Sequence, residues 1–371
     1  LEEIQARGTA AIANAQITLP KTNDPLLDRG DWTTAFEWQG DRVAVNSFTA
    51  PGVQANGTIG VDFTQSIPIG NLDLNVALQS FDLQPLNSFA PPKVKEYGEL
   101  AGLTSFNGQL FGTLDNPQLE GDARLDNLAV NQLLFEPLTG PVSLSLSGAN
   151  VDLRGQEDRL QLSASGSLVE SFREQTLPAL SFTVKNQEFV AEGYGEDRQL
   201  HTDIVQFPLS SLDFQPVVRY GFGTVAGLLD ASVDVGLADF SNPTAAGTLT
   251  IADPALNPVE AEQVTASFAY ANNTATLNQG ELLFDDSRYL LTGSASLMPT
   301  IQYEGALTIA DGRMEDLVPI VEKLDLTSFG IGELPTPSGS AADLATQPVG
   351  LPADTFLERL ESFVAFVRAN P

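Results

Sequence analysis

A short glycine-led motif recurs four times along the chain, and this repetition constrains the fold more than any other feature. Counting from the glycine, apolar residues stand at plus two, plus four and plus nine, and Asn or Asp stands at plus six. The motif glycines are Gly8, Gly121, Gly247 and Gly305. Because side chains alternate faces along a strand, apolar residues two positions apart share one face. The motif therefore predicts a strand with one apolar and one polar face.

Two motif positions also predict backbone behaviour. Glycine within a strand is typical of a place where neighbouring backbones approach closely. Asn and Asp bond to nearby backbone and tolerate left-handed geometry, so they are predicted to end the strands. The residues at this position are Asn14, Asn127, Asp253 and Asp311.

Variable insertions separate the copies. The interval from Gly247 to Gly305 is about half of each earlier interval, which indicates a basic unit of roughly 60 residues. We interpret residues 1–105 as a first β repeat unit that ends in a connector over 90–105, residues 106–225 as a second unit and 226–334 as a third. Short helices are predicted after strands near 81–89, 207–214 and 316–320, and a hairpin is predicted across residues 39–41.

The end of the sequence differs from the repeats. Residues 335–352 are rich in Pro, Gly, Ser and Ala and are predicted to form a flexible linker. Residues 353–371 are predicted to contain an amphipathic helix, because apolar residues recur at three- and four-residue spacings. Its apolar stripe includes Phe356, Leu360, Phe363, Val364 and Val367. This candidate plug or docking helix would pack on the protein's own apolar surface, on a lipid or on a partner.

Charge and cysteine content exclude several classes of function. Lys and Arg number 18 against 48 Asp and Glu, a formal net charge of -30. Such a surface repels nucleic-acid phosphates and anionic bilayers, so we expect no nucleic-acid partner. The chain has no cysteine, so disulfides, thiolate zinc sites and cysteine nucleophiles are not available. We expect the chain to be a piece of a longer protein, with any membrane anchor outside it.

No catalytic constellation emerges from the sequence. The single histidine, His201, has no serine or cysteine motif beside it, and we expect it to be a surface or strand-packing residue. Acidic residues such as Asp285, Asp286 and Asp311 are interpreted as turn residues rather than metal ligands. Phosphate-binding, dinucleotide-binding and hydrolase motifs are absent. We therefore expect no enzyme activity, no metal and no cofactor.

The predicted strands number about twenty, and each has one apolar face. A sheet built from them has an apolar side that must be shielded from water. It could pack against a second sheet, wind into a solenoid, or curl into a trough with an apolar inner wall. Closed packing would give a structural or adhesive repeat protein. The residues alone leave these alternatives open.

Residues 111–130 and 236–251, together with the Pro-Leu-Asn-Ser-Phe and Pro-Leu-Ser-Ser-Leu helix starts, resemble repeats of the TamB proteins. These belong to the AsmA-like group of bacterial envelope proteins, and the sequence is most similar to the large cyanobacterial members related to a chloroplast envelope import component. The resemblance covers most of residues 1–334 and rests on repeated patterning. The membrane anchor and the C-terminal domain typical of the family are not in these residues.

The resemblance implies a mainly β fold, in which a repetitive, elongated sheet curls into a U-shaped apolar groove with short helices between repeats. It implies periplasmic bridge-like transport of phospholipid or glycolipid acyl chains between the inner and outer membranes. A scaffold for outer-membrane protein assembly, with a barrel partner of the Omp85 type bound through regions outside this chain, is the alternative. The residues predicted to line the groove, or else a closed core, are Ile12, Val45, Leu74, Leu125, Leu144, Leu162, Val233, Ile251, Phe268 and Ile309.

Overall fold

The structure of the protein is a computed structural model. It describes residues 5–16, 30–64, 68–89, 99–131, 133–167, 177–211, 225–237, 242–256, 259–284, 287–296 and 302–312. Contacts between Cα atoms divide the chain into two compact units, whose bounds are not those of the three predicted repeat units. The first unit is Leu1–Arg198 with Ser211–Asp213, and the second unit is Gln199–Ser210 with Phe214–Pro371.

The described part of the first unit is almost entirely β-structure. Its strands are β1 (Gln5–Ala15), β2 (Gly30–Gln39), β3 (Arg42–Ala50), β4 (Val53–Gly60), β5 (Asn71–Asp82), β6 (Leu100–Thr113), β7 (Asn116–Val130), β8 (Leu133–Leu134), β9 (Leu138–Ser145), β10 (Gly148–Arg154), β11 (Arg159–Ser165), β12 (Leu177–Lys185) and β13 (Val190–Asp197). Each long strand pairs antiparallel with the next long strand, and the two-residue β8 lies beside the end of β7.

The second unit has the same serial antiparallel organisation. Its strands are β14 (Gln199–Pro208), β15 (Val225–Gly236), β16 (Thr244–Leu256), β17 (Val259–Glu260), β18 (Gln263–Ala271), β19 (Thr274–Phe284), β20 (Ser287–Ser296) and β21 (Gln302–Asp311). The ladders join consecutive long strands from β14 to β21, with the short β17 beside the end of β16. In both units the ladders are open, because the first and last strands of a unit do not pair with each other among the described residues.

Helical structure is sparse. Segments of 3-10 helix occupy Gln84–Phe89 and Leu209–Ser211, close to two of the three predicted short helices, while 316–320 lies outside the described residues. The described residues contain no α-helix, and so none that is long and apolar enough to cross a membrane. The predicted linker over 335–352 and the predicted amphipathic helix over 353–371 also lie outside the described residues.

The four motif copies lie in β1, β7, β16 and β21. The left-handed conformation predicted at plus six occurs at Asn14, Asn127 and Asp253, where φ is 54°, 53° and 49°. The prediction that these residues end the strands holds to within one residue for Asn14, because β1 ends at Ala15, and is wrong for Asn127 and Asp253, each of which is followed by three more strand residues. Strand β7 continues past Asn127 to Val130, because the left-handed residue produces a bulge in the ladder rather than a reversal of the chain. Asp311 is the last residue of its strand.

Of two further predicted features, the connector differs from the structure and the hairpin agrees with it. The connector predicted over 90–105 ends earlier, because β6 begins at Leu100. The predicted hairpin between β2 and β3 is confirmed, with Gln39 opposite Arg42 across a turn at Gly40 and Asp41. Gly40 has φ of 62°, a conformation that glycine adopts without steric cost.

Candidate functional site

Cross-strand register aligns the apolar residues of the first unit on one face. Residues directly opposite each other in an antiparallel ladder project from the same side of the sheet. Following these pairs from β2 to β12 gives a first row of Phe36, Val45, Gly57, Leu74, Leu110, Leu119, Leu144, Ala149, Ala164 and Leu180. This row crosses ten strands, about 45 Å at the usual spacing between strands.

A second row lies on the same face, two residues from the first along each strand except β3, where a bulge makes the step from Val45 to Phe48 three residues. It contains Phe48, Ala55, Val76, Gly108, Gly121, Val142, Val151, Leu162 and Phe182. No residue of either row is charged, although the whole chain carries a net charge of -30. We call the surface formed by the two rows and their neighbours of the same alternation the apolar face.

The second unit has an equivalent apolar face. One of its rows contains Thr202, Val233, Gly247, Phe268, Leu277, Gly293 and Gly305, and another contains Phe207, Leu229, Ile251, Val264, Leu282, Tyr289 and Ile309. The polar groups in these rows are hydroxyls, and charged side chains occupy the intervening positions, as Asp230 and Asp234 do in β15.

The apolar face is only partly covered. Every residue of the first row is half-buried except Leu144, which is 39% exposed. All residues of the second row are half-buried. Substantial contacts between described strands join neighbours in a ladder rather than strands stacked face to face. The central rows therefore lack the complete burial of a sandwich core, in which two inner faces interdigitate.

Full burial in the first unit concentrates at one set of strand ends. Because the strands alternate in direction, the end of β7, the start of β9 and the end of β10 lie along the same rim. The buried side chains near this rim, which we call the packed rim, are Leu83, Leu128, Leu133, Phe135, Leu138, Leu153 and Phe189. The rings of Phe135 and Phe189 meet edge to face, with centroids 6.5 Å apart. At the opposite ends of the strands, Phe63, Leu114 and Leu146 are exposed.

Polar groups at the packed rim tie the connecting turns together. Asp158 is buried and its Oδ2 accepts a hydrogen bond from the Glu136 N–H at 2.8 Å. The Nδ2 of Asn186, also buried, donates to the Leu134 carbonyl at 2.9 Å. The Glu136 carboxylate accepts the Gln156 N–H at 2.6 Å, and this hydrogen bond lowers the pKa of Glu136. These bonds connect the segment at residues 134–136 with the turns at residues 155–158 and 186–189.

The opposite face of the first unit carries ion pairs. In β7, Arg124 donates to both oxygens of Asp126 at 2.6 and 2.7 Å, and this pairing lowers the pKa of Asp126. Asp152 of β10 accepts from Arg154 at 2.6 Å and from Arg159 at 3.1 Å. The hydrogen bonds from Arg154 and then Arg159 lower the pKa of Asp152 to about 2. The charge therefore lies on the face away from the apolar rows.

His201 belongs to the polar face of the second unit. Its Nδ1 lies 2.7 Å from Asp234 Oδ1, across the ladder, and its Nε2 lies 3.1 Å from Asp203 Oδ2. Hydrogen bonding to Asp234 and then Asp203 raises the pKa of the imidazole. The expectation of a surface or strand-packing histidine matches this position. Among the described residues, His, Asp and Glu side chains do not form a group of three or more that could hold a metal ion.

The predicted groove residues fall on the apolar faces of the two units. Val45, Leu74 and Leu144 share the first row, and Leu162 lies in the second row. Ile12 and Leu125 lie further along the same face toward the packed rim, opposite Trp32 and Leu138 respectively. In the second unit, Val233 and Phe268 share one row while Ile251 and Ile309 share another. The candidate helix residues from Phe356 to Val367 lie outside the described residues.

The sequence-based list missed the contribution of β6. Phe106 and Leu110 extend the apolar face between β5 and β7, opposite Leu78 and Leu74. The period-two pattern of Phe106, Gly108 and Leu110 carries the signal for this strand. The predicted connector over 90–105 included the start of β6, so the sequence-based boundary fell inside this strand.

Comparisons of the chain with protein-family models, with curated proteins and with solved structures found no match.

Proposed function

We propose that the apolar face of each unit forms the wall of a lipid-conducting groove, along which phospholipid or glycolipid acyl chains pass between two membranes. The observation that carries this proposal is an apolar face that crosses at least ten strands without a charged residue while staying only half-buried. A sealed structural repeat would instead need these rows to be buried against a second layer.

The energetics of lipid transfer fit such a wall. Exposing two acyl chains of about thirty methylenes in total to water would cost roughly 24 kcal/mol at about 0.8 kcal/mol for each methylene. A passive route therefore needs a continuous apolar lining. The ladder supplies this lining from strand to strand, and the ion pairs on the opposite face keep the sheet hydrated. The sequence resemblance supports the periplasmic location and the connection of the inner to the outer membrane.

The close approach of backbones supports a sheet that curls toward its apolar face. At Gly121 an added Cβ would lie 2.5 Å from the Cα of Gly108, and at Gly247 it would lie 3.1 Å from the Cα of Val233. A glycine that leaves out a side chain on the inner side of a bend lets the strand curve without steric overlap. We propose that this curvature gives the groove its U-shaped section.

Paired charge substitutions on neighbouring residues test the proposal. Leu74→Asp and Leu162→Asp place a carboxylate on the apolar face, whereas Asn75→Asp and Ser163→Asp place the same charge on the polar face one residue away. Uptake of a fluorescently labelled phospholipid from neutral vesicles by the purified chain is the first readout. Native mass spectrometry after purification, with an unrelated acidic β-protein as control, is the second.

We expect the unmodified chain and the polar-face variants to bind lipid, and the apolar-face variants to bind less. Circular dichroism identifies variants that fail to fold. A folded, unmodified chain that neither co-purifies with lipid nor takes up the labelled phospholipid would overturn the proposal. Equal uptake by both members of each pair would also contradict it, because lipid would then not lie on the apolar face.

A further inference from the structure

A cleft of about 300 Å³ lies on strands β3 to β6 of the first unit. Three of its lining residues, Phe48, Ala55 and Val76, belong to the second row of the apolar face. The others carry amide or hydroxyl groups, with one alanine among them: Asn46, Ser47, Thr49, Gln54, Asn56, Asn75, Ala77 and Asn107. We call this site the amide cleft.

The floor of the amide cleft is a small residue between two longer amides. Ala77 of β5 lies opposite Gln54 of β4 on one side and opposite Asn107 of β6 on the other. Ala77 is half-buried, whereas Gln54 and Asn107 are exposed. Because directly opposed residues project from the same side of a sheet, the two amides flank a depression above the alanine methyl group. A larger side chain at position 77 would fill this depression.

A second pair of amides borders the floor. Asn75 lies two residues before Ala77 and opposite Asn56, and its Nδ2 donates to Asn56 Oδ1 at 3.1 Å. An amide group has two N–H donors and an acceptor oxygen, so both side chains keep hydrogen-bonding capacity beyond this bond. A bulge in β3 sets two further polar residues, Asn46 and Ser47, against Asn56 alone.

The amide cleft is uncharged although the protein is strongly acidic. Asp, Glu, Lys and Arg are absent from its lining, whereas the chain carries a net charge of -30. Acidic residues stand at its border, since Asp73 precedes Asn75 by two positions and Asp122 lies opposite Asn107. These carboxylates disfavour anionic ligands. Metal cations are usually held by carboxylates, which the lining does not provide. The charges therefore favour a ligand that is polar and neutral.

The position of the cleft within the sheet also selects the kind of ligand. Strands β4 and β5 pair on both sides, so an added peptide strand has no open edge there. Recognition must use side chains that each act as donor and acceptor. Sugar hydroxyls have the same dual capacity. The volume lies at the lower end of the range for small-molecule sites, about 300–1,000 Å³, which suits one or two sugar rings.

We propose that the amide cleft binds a neutral saccharide, with one sugar ring above Ala77 and its hydroxyls hydrogen-bonded to Gln54, Asn107 and the amides of Asn56 and Asn75. This site does not depend on the proposed lipid function. Its polar side chains belong to the positions between the apolar rows, and its ligand needs no acyl chain.

Saturation-transfer difference NMR on the purified full chain, without lipid, tests the proposal. The probes are the methyl glycosides of glucose, galactose, mannose and N-acetylglucosamine. We expect at least one of them to bind with a Kd of about 1 mM, because the cleft is open and offers few hydrogen bonds. The uronide of the best binder, in which a carboxylate replaces the hydroxymethyl group, should bind more weakly. Absence of binding by all four neutral glycosides, or equal binding of the uronide, would overturn the proposal.

Substitutions in the cleft test its location. Ala77→Leu should weaken binding by at least about tenfold, because the side chain occupies the floor, and Asn107→Ala should weaken it by at least about threefold through loss of a hydrogen-bonding partner. Asn150→Ala is the matched control, because Asn150 is an exposed amide of β10 that lies opposite Ser143 and Ser163, outside the cleft. Circular dichroism confirms that each variant folds. Unchanged binding by both cleft variants, or an equal loss in the control, would place the sugar elsewhere and overturn the proposal.

Discussion

Replacing Gly121 by alanine tests whether close backbone approach shapes the sheet. A Cβ at this position would lie 2.4 Å from the carbonyl oxygen of Asn107 and 2.5 Å from the Cα of Gly108. Both atoms belong to the backbone of β6, so neither can rotate away as the end of a side chain would. The two strands must separate locally, which strains the hydrogen bonds on either side of the pair.

The expected cost follows from these distances. Overpacking of this kind costs about 1–3 kcal/mol, and the loss of glycine's freedom in the unfolded chain offsets about 0.4–1 kcal/mol of it. We expect a net destabilisation of about 1–2 kcal/mol. For a unit of this size, that corresponds to a decrease in Tm of roughly 2–8 °C.

Gly8→Ala is the matched control, because it changes the same motif position in β1. An added Cβ there would meet the ring of Phe36 at 3.3 Å, and an aromatic side chain can shift by the few tenths of an ångström required. Both tryptophans, Trp32 and Trp38, lie in β2, so their fluorescence during urea unfolding reports on the first unit. If Gly121→Ala loses no more stability than Gly8→Ala, close backbone approach does not explain the motif glycine.

Three further perturbations have defined outcomes. Asn127→Val should destabilise the first unit by about 1–2 kcal/mol, since a β-branched residue resists the left-handed conformation, and Asn127→Gly should cost less in the same urea assay. Asp152 has a lowered pKa of about 2, so its ion pairs contribute stability above about pH 4 that is lost as the pH falls toward 2. Asp152→Asn should reduce the decrease in Tm that occurs as the pH falls below about 4. An unchanged decrease would contradict the assignment of this pKa to Asp152. The pKa of His201 is raised above 6.5, so its contribution is complete below that pH and is lost as the pH rises through the folded-state value. His201→Gln should remove this decline above pH 6.5, and a Tm profile that does not change on substitution would refute it.

The local sequence pattern predicted the strands but not the residues at which they end. The alternation in Leu72, Leu74 and Val76 identifies β5 because a strand's side chains point alternately to two faces. The end of β7 was misplaced because a left-handed Asn127 fits either a chain reversal or a bulge. The local sequence does not distinguish the two, since the choice depends on whether Leu133 and Leu134 return to pair with the chain beyond Asn127.

The candidate site depended more strongly on tertiary structure. The sequence selected Val45, Leu74 and Leu144 as apolar strand residues, but only the ladder places them in one row. The sequence pattern also did not predict how deeply each apolar residue is buried. Ile12 and Leu125 occupy the same motif position, yet Ile12 is 60% exposed and Leu125 is 8% exposed. Among the described residues β7 pairs on both sides, whereas β1 pairs with β2 alone.

The sequence by itself determined that this protein is built from repeated strands with one apolar and one polar face, with a left-handed residue near the end of the motif strands. These properties follow from side-chain alternation and from the local preferences of glycine, Asn and Asp. Tertiary structure alone decided the register that joins apolar residues of different strands into uncharged rows, and the half-burial of those rows. Register and burial depend on which strands become neighbours, and the side chains of one strand do not encode that choice.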